Sequence, residues 1–152
     1  MRQVRKATVK DIPALLPLIA AYWDFESISG FEAQNIALQL EHLLSEPHLG
    51  AGWIATADTG SIGYLLAVYV FSLEHGGLTA EIDELFVSPP ARGAGMGSGL
   101  IRAAEAEFTQ IGCTNVSLQL SRHNDWARRF YHRFGYEERS GYELLDKKLN
   151  AD

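Results

Sequence analysis

Arg92-Gly93-Ala94-Gly95-Met96-Gly97 sets glycines at alternate positions behind an arginine, just before an amphipathic run that starts at Met96. Without a Cβ, glycines let backbone N–H groups come close to a ligand, and a helix start adds unpaired donors and the positive end of its dipole. An apolar run stops ahead of them at Pro89-Pro90, so the stretch reads as strand, bare-backbone turn and helix. The chemistry such a turn performs is the cradling of a pyrophosphate.

Two nucleotide loops are excluded. The G-x-x-x-x-G-K-S/T loop needs a lysine and a hydroxyl after its last glycine, whereas Ser98-Gly99 follows Gly97. The dinucleotide fingerprint G-x-G-x-x-G would put its third glycine at Ser98 counted from Gly93, or at Leu100 counted from Gly95. The loop does match the acyl-CoA signature Q/R-x-x-G-x-G/A. Downstream, Asn124-Asp125-Trp126-Ala127-Arg128-Arg129-Phe130-Tyr131-His132-Arg133-Phe134-Gly135-Tyr136 matches N-x-x-A-x-x-F/L-Y-x-x-x-G-F/Y. On these two ordered motifs, with Ile82-Asp83-Glu84-Leu85-Phe86-Val87-Ser88-Pro89 upstream, the chain resembles the GNAT superfamily of N-acetyltransferases. The resemblance covers the C-terminal half; the N-terminal half matches in element order alone.

The resemblance implies an α/β fold with a mixed, mostly antiparallel central sheet flanked by helices, in the order β-α-α-β-β-β-α-β-α-β-β. It implies acetyl-CoA as acyl donor, no metal, and direct attack of a primary amine on the thioester. Carried onto this sequence, the donor-binding positions are Leu85, Phe86, Val87, Arg92, Gly93, Ala94, Gly95, Met96, Gly97, Ser98, Asn124 and Tyr131. Tyr131 stands where family members place a general acid for the departing thiolate; packing of its ring is the alternative. Glu84 is the favoured general base, with Asp83 and Glu81 behind it. Strict alternation would set Glu81 and Asp83 on one strand face and Glu84 on the other, but a bulge in this strand would change that. The oxyanion donor is expected among the backbone N–H groups of residues 85–87. Asn124 either bonds the donor or only caps a helix. The aromatic and acidic stretch around Trp23, Asp24, Phe25 and Glu26 suits either a lid over a cationic acceptor or core packing. The acceptor is expected to be a small-molecule amine; a peptide or protein amine, or a noncatalytic acyl-CoA-binding module, are the competing readings.

A chain of 152 residues is expected to form one domain, 1–152. Its net charge of −6 argues against nonspecific nucleic-acid binding and favours approach of a cationic acceptor. Apolar runs fall short of the roughly 20 residues of a membrane span, and the N-terminus lacks the apolar stretch of a signal peptide. A cytoplasmic location is therefore expected, with no membrane partner. The lone Cys113 reads as a small hydrophobe, and the histidines lack metal-ligand spacing.

The positioning elements follow from periodicity. A short edge strand over 3–7 leads to a capping box, Thr8 to Asp11. The helix after it contains Pro17, which would kink it or mark its true start, and the pattern breaks over 23–30. A second helix is expected over 31–44, with Gly50 and Gly52 punctuating its exit. Strands follow over 53–57, 62–71 and 78–87, a helix over 96–110 burying Leu100, Ile101, Ala104 and Phe108, and a strand over 115–120. A helix starts near Asn124 or Asp125, and strands over 136–139 and 142–148 are expected to close as a hairpin. Those terminal strands could pair with a second copy, so a homodimer is expected.

Overall fold

A computed structural model describes residues 1–150, in two compact units, Met1–Gln119 and Leu120–Asp152. The first unit is built on a sheet whose strands lie in chain order: β1 (Gln3–Lys6), β2 (Gly50–Ala57), β3 (Gly60–Ser72), β4 (Gly77–Val87) and β5 (Val116–Leu118). Neighbours from β1 to β4 are antiparallel, and β5 runs parallel to β4 after the crossover through a helix that parallel pairing requires.

Alternation along the strands sorts side chains between two cores. Ile54, Tyr64, Leu66 and Phe86 project to one face, where Leu15, Leu18 and Ile19 of α1 (Ile12–Phe25) and Ile36 and Leu40 of α2 (Ala33–Ser45) close over them. On the other face Trp53 and Tyr69 meet Phe108 of α3 (Met96–Gln110) edge-on, with ring centroids 5.6 and 6.1 Å apart. Leu100, Ile101, Ala104 and Phe108 are the buried residues of α3, the stripe expected from spacing.

The expected capping box forms at the entry to α1. The Thr8 hydroxyl accepts from the Lys10 N–H, and the Asp11 carboxylate accepts from the Thr8 N–H at 2.8 Å. The cap closes a 3-10 turn, Val9–Asp11, that runs straight into α1. Pro17 lies inside α1 and does not start it, because the buried Leu15, Leu18 and Ile19 hold the helix together across the missing hydrogen bond. The helix continues through Trp23 and Phe25 instead of breaking at 23, with Trp23 packed against the core and edge-on to Phe31.

Gly50 and Gly52 are strand residues, not turn punctuation. A Cβ at Gly50 would strike the carbonyl oxygen of Ala67, so glycine here permits the close approach of β3.

In the second unit, α4 (Asp125–Arg133) starts at Asn124, whose side chain accepts from the Ala127 N–H at 3.0 Å. Phe130 carries the packing here, stacked on Trp126 at 5.7 Å and flanked by Tyr131 and Phe134, each 5.2 Å away. The expected hairpin over 136–148 does not form in the described residues. Glu138 is instead tied back to α4 by Arg128 at 2.9 Å and His132 at 2.7 Å, and Leu144 and Leu145 stay exposed. A two-stranded ribbon with no covered apolar face is marginal by itself. No helix among the described residues is long and apolar enough to cross a membrane.

Candidate active site

The register of β4 against β3 slips by one residue in its middle. Leu66 pairs with Glu84 and Ala67 with Ile82, so Asp83 is the extra residue of a β-bulge. Such a bulge re-aims side chains. It brings Asp83 and Glu84, adjacent in sequence, to the same cavity, which plain alternation forbids. Glu81 does not line that cavity; it lies beside β5 and accepts from Gln119 at 3.3 Å.

The cavity holds about 130 Å³ between α1, α2 and the sheet. Its walls are Ile19, Trp23, Ile36, Leu40, Leu43 and Leu66, with Gln39 as a neutral polar member. Glu84 is fixed at both oxygens: the Tyr64 hydroxyl donates to Oε1 at 2.7 Å and the Trp23 indole N–H donates to Oε2 at 2.9 Å. Burial pushes the Glu84 carboxyl above the ordinary range; the two donors pull the other way, and neighbouring Asp83 adds to the rise. Burial alone pushes Asp83 up. Tyr64 is held far above the usual phenol range, first by burial and then by Glu84, so its hydroxyl stays protonated and remains a donor. Burial and nearby acids push Tyr22, beside Tyr64 and Phe86, up to about 12. The site is thus a carboxylate with its proton affinity raised by burial, facing a small cleft walled by apolar side chains with Gln39 and Asp83 among them.

The edge of β4 that follows is open. β5 pairs only with Ala80, Glu81 and Ile82, so from Asp83 to Val87 β4 is bonded to β3 on one side and, among the described residues, to no strand on the other. Leu85, Phe86 and Val87 therefore lie on a strand edge of the kind that accepts an extended amide-bearing chain. A 3-10 turn, Pro89–Ala91, then leads to the glycine loop. Gly93 and Gly95 are left-handed, with φ of 84° and 82°, a conformation that disfavours any side chain. Gly95 is the residue before α3, whose first turn has no side-chain cap and no acid, and Gly99 is the first residue of the helix whose N–H bonds back, to the Gly95 carbonyl. The N–H groups of Met96, Gly97 and Ser98 precede it and match a diphosphate. Arg92 is braced by its Nε bond to the Val87 carbonyl at 2.9 Å and by the rings of Phe25 and Phe86, at 5.4 and 5.6 Å.

In the second unit, Asn124 is the helix cap, and Tyr131 lies between the rings of Phe130 and Tyr136, at 5.2 and 5.6 Å. Cys113 is half-buried, and burial pushes its thiol up, away from nucleophilic thiolate character. No group of three metal-ligating side chains stands together among the described residues. The residue that sequence reasoning missed is Tyr64. Its one signal was a hydroxyl-bearing aromatic within the apolar run of 62–71, and only the strand register shows that it meets Glu84.

Residues 15–136 match the acetyltransferase (GNAT) family. The uncharacterized N-acetyltransferase YhfO of Bacillus subtilis strain 168 is 32% identical over 143 residues, spanning 91% of this chain and 92% of its own. The aminoalkylphosphonate N-acetyltransferase of Salmonella typhimurium strain LT2 is 39% identical over 143 residues, spanning 90% of this chain and 85% of its own. Among solved structures, an integron cassette protein from the mobile metagenome of Cole Harbour Salt Marsh superposes with a TM-score of 0.85 at 30% identity, over 99% of this chain and 92% of that one. A possible acetyltransferase from Clostridium difficile 630 shares the fold, with a TM-score of 0.85 at 14% identity and 99% coverage of both chains. A family match that runs from α1 to the end of the second motif, together with relatives of matching length, assigns the fold: the chain belongs to the GNAT acetyltransferase family and is an N-acetyltransferase.

Proposed function

We propose that the protein transfers the acetyl group of acetyl-CoA to the primary amine of a small molecule. The observation that carries this reading is the bulge at Asp83, which sets Glu84 in the cavity immediately before the open edge of β4. The donor's diphosphate would rest on the N–H groups of residues 93–98 with Arg92 beside it, and its amide-bearing arm would lie along Leu85, Phe86 and Val87. When bound, it supplies an activated thioester.

Glu84 accepts a proton from the incoming ammonium and leaves a neutral amine nitrogen. That nitrogen forms a bond to the thioester carbonyl carbon, and a backbone N–H among residues 85–87 holds the oxygen as it becomes an anion. Tyr131 then donates its hydroxyl proton to the sulfur as the carbon–sulfur bond breaks, and the proton left over on the attacking nitrogen passes to the Tyr131 oxygen as the neutral amide forms. Asp83 adds negative charge at the amine's approach.

Thermal unfolding with acetyl-CoA, NAD and ATP at equal concentrations tests the loop. A ligand at about 100 times its Kd adds about 2.7 kcal/mol, a shift of several degrees, expected for acetyl-CoA alone. Amine-dependent release of free thiol from acetyl-CoA tests the transfer, and Tyr131→Phe should lower kcat by about 10²-fold while leaving the acetyl-CoA shift intact. A shift with NAD or ATP instead would remove the assignment of the loop and the mechanism with it.

A further inference from the structure

We infer that the acceptor is a compact monoamine with an uncharged apolar body about the size of a benzene ring, and that acceptors carrying an anionic group are rejected. The inference rests on the proposed reading of Glu84 as the amine-facing base and adds what the rest of the amine must be.

Size comes first. The cavity of about 130 Å³ opens to solvent on one side, and the part of an acceptor it shelters is close in size to the benzene taken up by an enclosed apolar cavity of roughly 150 Å³. Wall chemistry comes second. Ile19, Ile36, Leu40, Leu43 and Leu66 offer no hydrogen bonds, the Trp23 N–H is already committed to Glu84, and Gln39 is the one neutral polar side chain left in the wall. A hydroxylated or peptide-like body placed there would find the Gln39 amide for one polar group and leave the rest among leucines and isoleucines.

Charge comes third. Both ionisable lining residues, Asp83 and Glu84, are acids, and no lining residue is a cation. One ammonium group satisfies them at the β4 end of the chamber. A second cation would have to sit among leucines and isoleucines, and a phosphonate or carboxylate would meet two acids with no guanidinium or ammonium to hold it. Arg92 does not line the chamber; it is braced on Phe25, Phe86 and the Val87 carbonyl. Although its Salmonella relative is named for aminoalkylphosphonates, this chain is therefore expected to disfavour them.

The test is kcat/KM with acetyl-CoA for butylamine, benzylamine, 2-aminoethylphosphonate, putrescine and a lysine-containing tripeptide. Butylamine and benzylamine should exceed the other three by at least about tenfold. Gln39→Lys, on the exposed side of α2, places a cation at the chamber and should narrow or reverse the gap between benzylamine and 2-aminoethylphosphonate. Calorimetric titration of benzylamine into the CoA complex supplies a readout without turnover, and Leu43→Trp should weaken that binding more than it weakens binding of methylamine. If aminoethylphosphonate, putrescine or the tripeptide is the best substrate, the inference falls and the transferase reading stands. If acetyl-CoA binds but no amine on the panel is bound or acetylated, both fall.

Discussion

The first unit holds two carboxylates with both oxygens engaged in hydrogen bonds, and their partners differ in one respect. Asp11, 9% exposed, receives a two-pronged guanidinium from Arg5 at 2.7 and 2.8 Å and the Thr8 N–H at 2.8 Å. The Arg5 hydrogen bonds hold its carboxyl below the ordinary value. Glu84 receives only neutral donors, a phenol and an indole, and burial lifts its carboxyl above the ordinary value. Each is held in place, but only Asp11 is neutralised. An anion with its own cation fastens one element to another, whereas an anion with dipoles alone is oriented and left to attract a proton or an ammonium.

The comparison breaks most visibly if the unneutralised carboxylate is removed. Glu84→Gln keeps the size of the side chain and abolishes its basicity, so kcat/KM should fall by about 10²-fold or more. The low-pH limb of the rate profile should vanish with it. In the unaltered protein that limb should lie above the ordinary carboxylate range, since the folded-state value is raised and Glu84 becomes a base only once pH exceeds it. Steady-state rates between about pH 5 and 9 check both points. Unchanged turnover would move the base to another group.

Asp11→Ala should do the converse, costing about 2 kcal/mol of stability through the lost cap and ion pair, with the discount proper to a half-exposed arginine. Turnover below the unfolding temperature should not change. Because the folded-state value of Asp11 is depressed, its contribution is fully present above the unfolded-state value near 4 and disappears as pH falls through the lower folded-state value. Denaturant unfolding at pH 7 and again in strong acid should show the variant's deficit at the first and its loss at the second.

The Asp11 arrangement was legible in the sequence and the Glu84 arrangement was not, for a physical reason. Thr8 and Asp11 are three residues apart, and a helix start brings such residues together by local geometry alone. Helix α3 was legible in the same way, because spacing of Leu100, Ile101, Ala104 and Phe108 depends on nothing beyond the helical repeat. Tyr64 and Glu84 meet across a strand pair whose register depends on one bulged residue, and no short-range pattern encodes that slip. The glycines divide likewise: the loop at Gly93 and Gly95 is a local backbone requirement, whereas Gly50 answers to the Ala67 carbonyl of a neighbouring strand. The strands expected over 136–139 and 142–148 have no covered face to hold them, and Glu138 bonds Arg128 and His132 instead.

Tyr64→Phe sharpens the comparison without removing either carboxylate. Tyr64 does not line the cavity, and its ring contacts with Tyr22 and Phe86 survive the change. The lost hydroxyl stabilised the ionised form of Glu84, so its loss raises that carboxyl further. A hydrogen bond of about 1 kcal/mol corresponds to roughly 0.7 pH unit. The low-pH limb of kcat should move up by about that much while the plateau at higher pH stays where it was. A limb that stays in place would mean that the Tyr64 bond orients Glu84 without tuning it.

The smallest effect, and the one that separates the two settings by sign, is expected at Asp83. Burial raises its carboxyl above the unfolded-state value. The folded protein therefore holds the Asp83 proton more tightly than the unfolded chain does, and stability falls as pH rises from the unfolded-state value through the raised one. At pH 7 the ionised side chain is a net cost, modest because Asp83 still touches water at the cavity's edge. Asp83→Asn should consequently unfold at the same temperature as the unaltered protein in acid and at a slightly higher one at pH 7, the opposite of Asp11→Ala. Its KM for the amine should rise, since the charge that destabilises the empty fold is the charge that receives the ammonium. A gain in stability coupled to a loss in acceptor affinity is what an acid retained for binding predicts, and an acid retained for folding would show neither.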